Sequence, residues 1–108
     1  MNAFRTTTLK DIGGGETARI DIYWKSEKGR IMQFSINLCI LKETENRDVY
    51  RIDTEHGSLH EHRFWGSEKP KKIEEDYTKA FREKRDEVLE NYLEWCILFK
   101  INKGENDG

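Results

Sequence analysis

Met32-Gln33-Phe34-Ser35-Ile36-Asn37-Leu38-Cys39-Ile40 places apolar side chains at every even position and smaller or polar ones between them. Successive side chains of a strand point to opposite faces, so this period of two predicts a strand with one buried face. Upstream, Ala18, Ile20, Ile22 and Trp24 repeat the pattern around the charged Arg19 and Asp21. The polar Lys25-Ser26-Glu27-Lys28-Gly29 between the two runs ends in glycine, which predicts an antiparallel hairpin. Downstream, Glu43 to Arg47 reads as a turn, Val49 to Thr54 as a third strand and Leu59 to Trp65 as a fourth. Connections this short favour a meander, because parallel neighbours need a dozen or more residues to cross over.

After Pro70 the period changes. Ile73, Tyr77, Ala80, Phe81, Val88, Tyr92, Trp95 and Phe99 recur at helical spacing, and no proline or glycine interrupts Lys71 to Lys103. Pro70 before the helix and Gly104 after it suit its two ends. The expected class is therefore α+β: a four-stranded antiparallel meander packed on one face by a long C-terminal α-helix. Ile20, Ile22, Met32, Phe34, Ile36 and Leu38 should be buried with Tyr77, Phe81 and Tyr92. A helix of about 30 residues is about 45 Å long, more than four strands are wide. Either it breaks near Arg82-Glu83-Lys84-Arg85-Asp86-Glu87 or one end projects against a second subunit. The apolar run Trp95-Cys96-Ile97-Leu98-Phe99 favours a homodimer, with Tyr92, Trp95, Leu98 and Phe99 as the docking residues.

Composition bounds the rest. The 108 residues suffice for one domain, expected over 17–103, between a flexible N-terminal segment at 1–16 and a disordered tail at 104–108. Gly13-Gly14-Gly15 reads as a connector, since no strand leads into it and no lysine-serine or lysine-threonine pair follows. Only 35% of residues are hydrophobic and 37% are charged, yet twelve aromatics argue for a packed core. A formal charge of −2 weighs against constitutive binding of nucleic acid and leaves room for a local basic patch. Cys39 and Cys96 sit in apolar contexts without a Cys-x-x-Cys spacing, which predicts buried thiols. No stretch approaches the length of a membrane span and Met1 to Thr8 has no signal-peptide core, so a cytoplasmic location is expected.

Every histidine lies between His56 and His62, three residues beyond Asp53. With a turn centred on His56-Gly57, Asp53 faces His60, Arg51 faces His62 and Val49 faces Phe64. Facing residues share a side of the sheet, so Arg51, Asp53, His60 and His62 would form one polar quartet with His56 at its rim. The same register puts Glu61 and Arg63 on the apolar side with Ile52, which suits only an edge strand. Three readings fit the quartet. In acid-base catalysis Asp53 would orient His60, with His62 and His56 nearby and Arg51 binding a substrate phosphate or carboxylate. In metal binding His56, His60, His62 and Asp53 would ligate a divalent transition metal such as zinc, iron or nickel. In the third reading the rings only pair with Glu55, Asp53 or Glu61 at a solvated edge.

Arg51-x-Asp53-x-x-His56 followed by His60-x-His62, on the last strands of a small meander before a C-terminal helix, resembles the TumE-type toxins of prokaryotic toxin-antitoxin pairs and related small prokaryotic proteins. The resemblance spans roughly residues 47–65. It implies that Arg51, Asp53, His56, His60 and His62 are the functional set and that an antitoxin is the partner. It further implies action on RNA, with histidine as proton shuttle and arginine against the scissile phosphate. The competing class is a non-enzymatic interaction module that works through the helix.

Overall fold

The computed structural model describes residues 2–66 and 69–103, and the tail expected at 104–108 lies outside them. Strands β1 (Asn2–Gly13), β2 (Glu16–Glu27), β3 (Arg30–Lys42), β4 (Glu45–Asp53), β5 (Leu59–Arg63) and β6 (Lys71–Ile73) precede a single helix, α1 (Tyr77–Asn102). A 3-10 turn, Glu55–Gly57, links β4 to β5. The strands form one antiparallel sheet in chain order. The fold is α+β, with six strands where the periodicity predicted four.

The two additional strands flank the predicted meander. The segment 1–16, expected to be flexible, is mostly β1, paired with β2 from Asn2↔Ser26 to Gly13↔Glu16. It lacks a strand signature because it lies at the sheet edge with most of its side chains exposed, so no alternation of apolar residues is required of it. Gly13, Gly14 and Gly15 all have positive φ, which makes the expected connector a tight hairpin turn. At the other side Lys71–Ile73, expected in the helix, adds to β5 with Ile73 opposite Leu59. The helix instead starts after Asp76, whose carboxylate accepts from the Lys79 amide at 3.0 Å.

One face of the sheet carries the core. Ala18, Ile20, Ile22, Phe34, Ile36, Leu38, Ile40, Tyr50 and Ile52 pack against Ala80, Phe81, Val88, Trp95, Cys96 and Phe99 of α1. Tyr77 and Tyr92 are only half-buried at its margin. Met32 departs from its predicted burial and is 42% exposed. The β2–β3 register shifts between Lys25 and Ser26, so Met32 is an unpaired bulge residue and Ile31 takes the inward position. A second shift beside Leu38 leaves Val49 without a partner on β3, and both Val49 and Tyr50 are buried.

The helix neither breaks at 82–87 nor needs to project. It runs along β3, with Thr78 near the strand start, accepting from the Ile31 amide, and Lys100 paired with Glu16 at the far end of the sheet. The 26 residues of α1 span about 39 Å and the 13 of β3 about 43 Å. Strand length, not sheet width, therefore sets the room for the helix. Trp95 and Phe99, expected on a docking surface, belong to the core. No helix among the described residues is long and apolar enough to cross a membrane. Both cysteines are buried free thiols; burial raises that of Cys39 and pushes that of Cys96 up to about 12.

Phe34 touches the rings of Tyr77 and Phe81 and is 2% exposed, whereas Ser35 lies on the opposite face. Phe34→Ala should cost about 3–5 kcal/mol in urea unfolding while Ser35→Ala stays within about 0.5 kcal/mol. Comparable losses at the two positions would contradict this assignment of faces.

Candidate functional site

The β4–β5 connection begins at Thr54, whose hydroxyl accepts from the Phe34 amide at 3.0 Å while its own amide bonds the Phe34 carbonyl at 3.1 Å. Asp53 then caps the turn by accepting from the Glu55 amide at 3.0 Å. His56 and Gly57 follow with φ of 61° and 78°, left-handed values that glycine adopts freely and histidine does not. The chain thereby reverses in the register derived from its sequence: Arg51↔His62, Ile52↔Glu61 and Asp53↔His60. The Phe64 amide also reaches the Val49 carbonyl at 3.0 Å.

Arg51, Asp53, His60 and His62 consequently share the face opposite α1. Strand β6 extends this group with a residue that its local sequence does not single out, since Lys72 pairs with His60. Two ranks result across the sheet: Asp53–His60–Lys72 and, beside it, Arg51–His62. Both rings are half-buried and line a shallow cavity of about 210 Å³ with Arg51, Asp53, Phe64 and Pro70. His62 lies over Phe64, ring centroids 3.8 Å apart.

His56 is not at this cavity. It lines a neighbouring one of about 420 Å³ together with Tyr23, Gln33, Ser35 and Tyr77. Both cavities are bounded by Arg51 and Asp53, joined by a 2.9 Å ion pair. The oxygens of Asp53 thus go to Arg51 and to the Glu55 amide, while Nδ1 of His60 lies 3.4 Å from the Ser58 hydroxyl. Asp53 positions the guanidinium and the turn instead of orienting His60. Among the described residues no group of three or more histidine, cysteine or acidic side chains is placed to hold a metal ion. The set His56, His60, His62 and Asp53 does not converge as the metal reading requires.

The inward side of the same hairpin explains its register. Strand β5 is not an edge strand, since β6 covers it, and yet Glu61 points into the core at 5% exposure. Its carboxylate accepts from the Tyr50 hydroxyl at 2.6 Å and pairs with Lys84 of α1 at 3.0 Å. Arg63 approaches it at 3.6 Å and also reaches Glu87 at 3.4 Å. Burial by itself raises the Glu61 pKa, but the hydrogen bonds from Tyr50 and Lys84 and the charges of Lys84 and Arg63 outweigh it and hold the carboxyl below its ordinary range. Burial and the Glu61 carboxylate push the Tyr50 phenol up, so it remains a donor. Lys84 is legible in the sequence only as part of a charged stretch, and only the packing of α1 brings it to Glu61.

A family model described as a domain of unknown function, DUF7718, matches residues 6–103. The chain belongs to the DUF7718 family. The match runs from β1 to the end of α1, so the DUF7718 domain includes both ranks of the candidate site and the Glu61 network beneath them. Neither the curated proteins nor the solved structures give a match.

Because the Glu61 pKa is lowered on folding, its contribution is full above the unfolded glutamate value of about 4.3 and fades as pH falls through the lower folded value. Denaturant unfolding at neutral and acid pH checks this. Glu61→Gln should narrow its stability difference from the parent protein on acidification. Lys84→Met, which strands the buried carboxylate, should cost about 3 kcal/mol at pH 7 and regain part of that loss in acid. Stability losses that stay constant with pH in both variants would assign the network no charge-dependent role.

Proposed function

We propose that this protein is an RNA-cleaving toxin of a prokaryotic toxin-antitoxin pair, acting by metal-independent acid-base chemistry with His60 and His62. The observation that carries the reading is the pair of ranks on the free face of the sheet, where two imidazoles stand between Arg51 and Lys72. His60 and His62 are two residues apart on one strand, about 6.7 Å at the usual rise, a spacing that lets two rings bracket one phosphodiester. In such a reaction one ring, neutral, takes the proton of the ribose 2′-hydroxyl as its oxygen attacks phosphorus. The other, protonated, gives its proton to the departing 5′-oxygen as the P–O5′ bond breaks. Arg51 and Lys72 offset the charge that builds on the phosphoryl oxygens, and Asp53 holds Arg51 in place.

The resemblance of Arg51-x-Asp53-x-x-His56 and His60-x-His62 to TumE-type toxins supports the same reading and implies a neutralising antitoxin as partner. The formal charge of −2 means that substrate capture depends on the local cations of this face and not on the field of the whole chain. Single-stranded RNA fits best, since a shallow open face admits a splayed strand.

Purified protein incubated with a short single-stranded RNA should yield products ending in a 2′,3′-cyclic phosphate, with a bell-shaped pH profile. His60→Ala and His62→Ala should each slow cleavage by about 10²–10⁴-fold, whereas Lys79→Ala, on α1 across the sheet from both ranks, should leave it unchanged. RNA left intact by the parent protein, or cut equally well by both histidine variants, would refute the proposal.

A further inference from the structure

With one helix on one sheet, the outer surface of α1 has no cover among the described residues. Leu89, Leu93, Ile97 and Ile101 occupy it in a single row at four-residue spacing, and each is 40–49% exposed. Four aliphatic side chains aligned in this way form a continuous ridge, the element that interdigitates when two helices cross. Scattered exposed leucines need no explanation, whereas a contiguous apolar ridge marks a contact surface.

The row immediately beside the ridge is Asp86, Glu90 and Glu94, all exposed. Asp86 is 3.3 Å from Arg85, while Glu90 and Glu94 have no ion pair among the described residues. This acidic row decides between occupants. A second copy laid antiparallel on the ridge would bring its own Glu90 and Glu94 to the same seam. Arg82 and Arg85 lie on the N-terminal side of Leu89, before the ridge begins, so the cations at the other end of the seam are Lys103 and Lys100, and Lys100 is already held by Glu16.

We infer that this ridge docks an amphipathic helix from another protein, one whose apolar stripe is flanked by lysine or arginine. The apolar row supplies the seat and the acidic row selects the partner by charge. The surface lies on the opposite side of the sheet from the histidine ranks, so a bound helix leaves the candidate site open. The inference does not depend on what that site does.

Two synthetic helical peptides serve as probes, with the same leucine stripe at four-residue spacing but flanked by lysines in one and by glutamates in the other. Fluorescence anisotropy should show binding of the lysine peptide alone, weakened by added salt, with NMR shifts confined to Leu89, Leu93, Ile97 and Ile101 and their neighbours. Leu93→Ser with Ile97→Ser should weaken binding by on the order of tenfold or more. The surface pair Glu90→Lys with Glu94→Lys should transfer preference to the glutamate peptide, which keeps the test valid if the serine variant folds poorly. Equal binding of both peptides, or shifts at other surfaces, would overturn the inference. So would a dimer in sedimentation that the serine substitutions convert to monomer, since the occupant would then be a second copy.

Discussion

The Glu61 carboxylate, buried between the Tyr50 hydroxyl and the Lys84 ammonium, is the contact on which the arrangement of the hairpin depends. A charged group so deep in a core is tolerable only with partners on its oxygens, and these come from a strand and from the helix. The network therefore joins the sheet to α1 and admits one register of β5. A slip of one residue would turn Glu61 to solvent, bring His60 and His62 inward and leave Tyr50 and Lys84 without their acceptor. The outward projection of both histidines is thus the reverse side of an inward ion pair.

This linkage gives the free face its order. His60 and His62 project from the strand that Glu61 anchors, Arg51 and Asp53 from the neighbouring strand, and Lys72 from the short strand beyond. The rings gain definition from what surrounds them: Phe64 against His62, the Ser58 hydroxyl near His60, and the Arg51–Asp53 pair along the cavity rim. Side chains set on hydrogen-bonded strands hold their spacing better than side chains on a loop, as the proposed acid-base chemistry would require. His56, by contrast, sits on the turn with a left-handed backbone and faces a different cavity.

Among the described residues a single helix covers one side of this sheet and leaves two surfaces without an intramolecular partner. The free sheet face is rich in charge around Arg51, Asp53 and Lys72. The outer face of α1 combines an apolar ridge with an acidic row, a combination that a solvated helix does not need. The expectation of docking through Trp95 and Phe99 and the exposed ridge have one origin. Apolar residues surround the last turns of α1, and the sheet buries only those on its own side.

Local sequence determined those parts of the protein where side-chain period and burial coincide. The even positions of β2 and β3, the helical spacing after Tyr77 and the centring of the hairpin on His56-Gly57 all follow from neighbours a few residues apart, so they are legible in the chain itself. Strand β1 is not, because an edge strand with solvent on most sides imposes no apolar alternation, and β6 is not, because three residues carry no period. The bulge at Met32 and the lengthwise course of α1 depend on pairings between distant segments. So does the meeting of Lys84 with Glu61 and of Lys72 with His60. Tertiary structure alone decided those contacts, since whether a lysine lies beside a carboxylate depends on how the sheet and the helix are packed together, and nothing in its own neighbourhood along the chain encodes that.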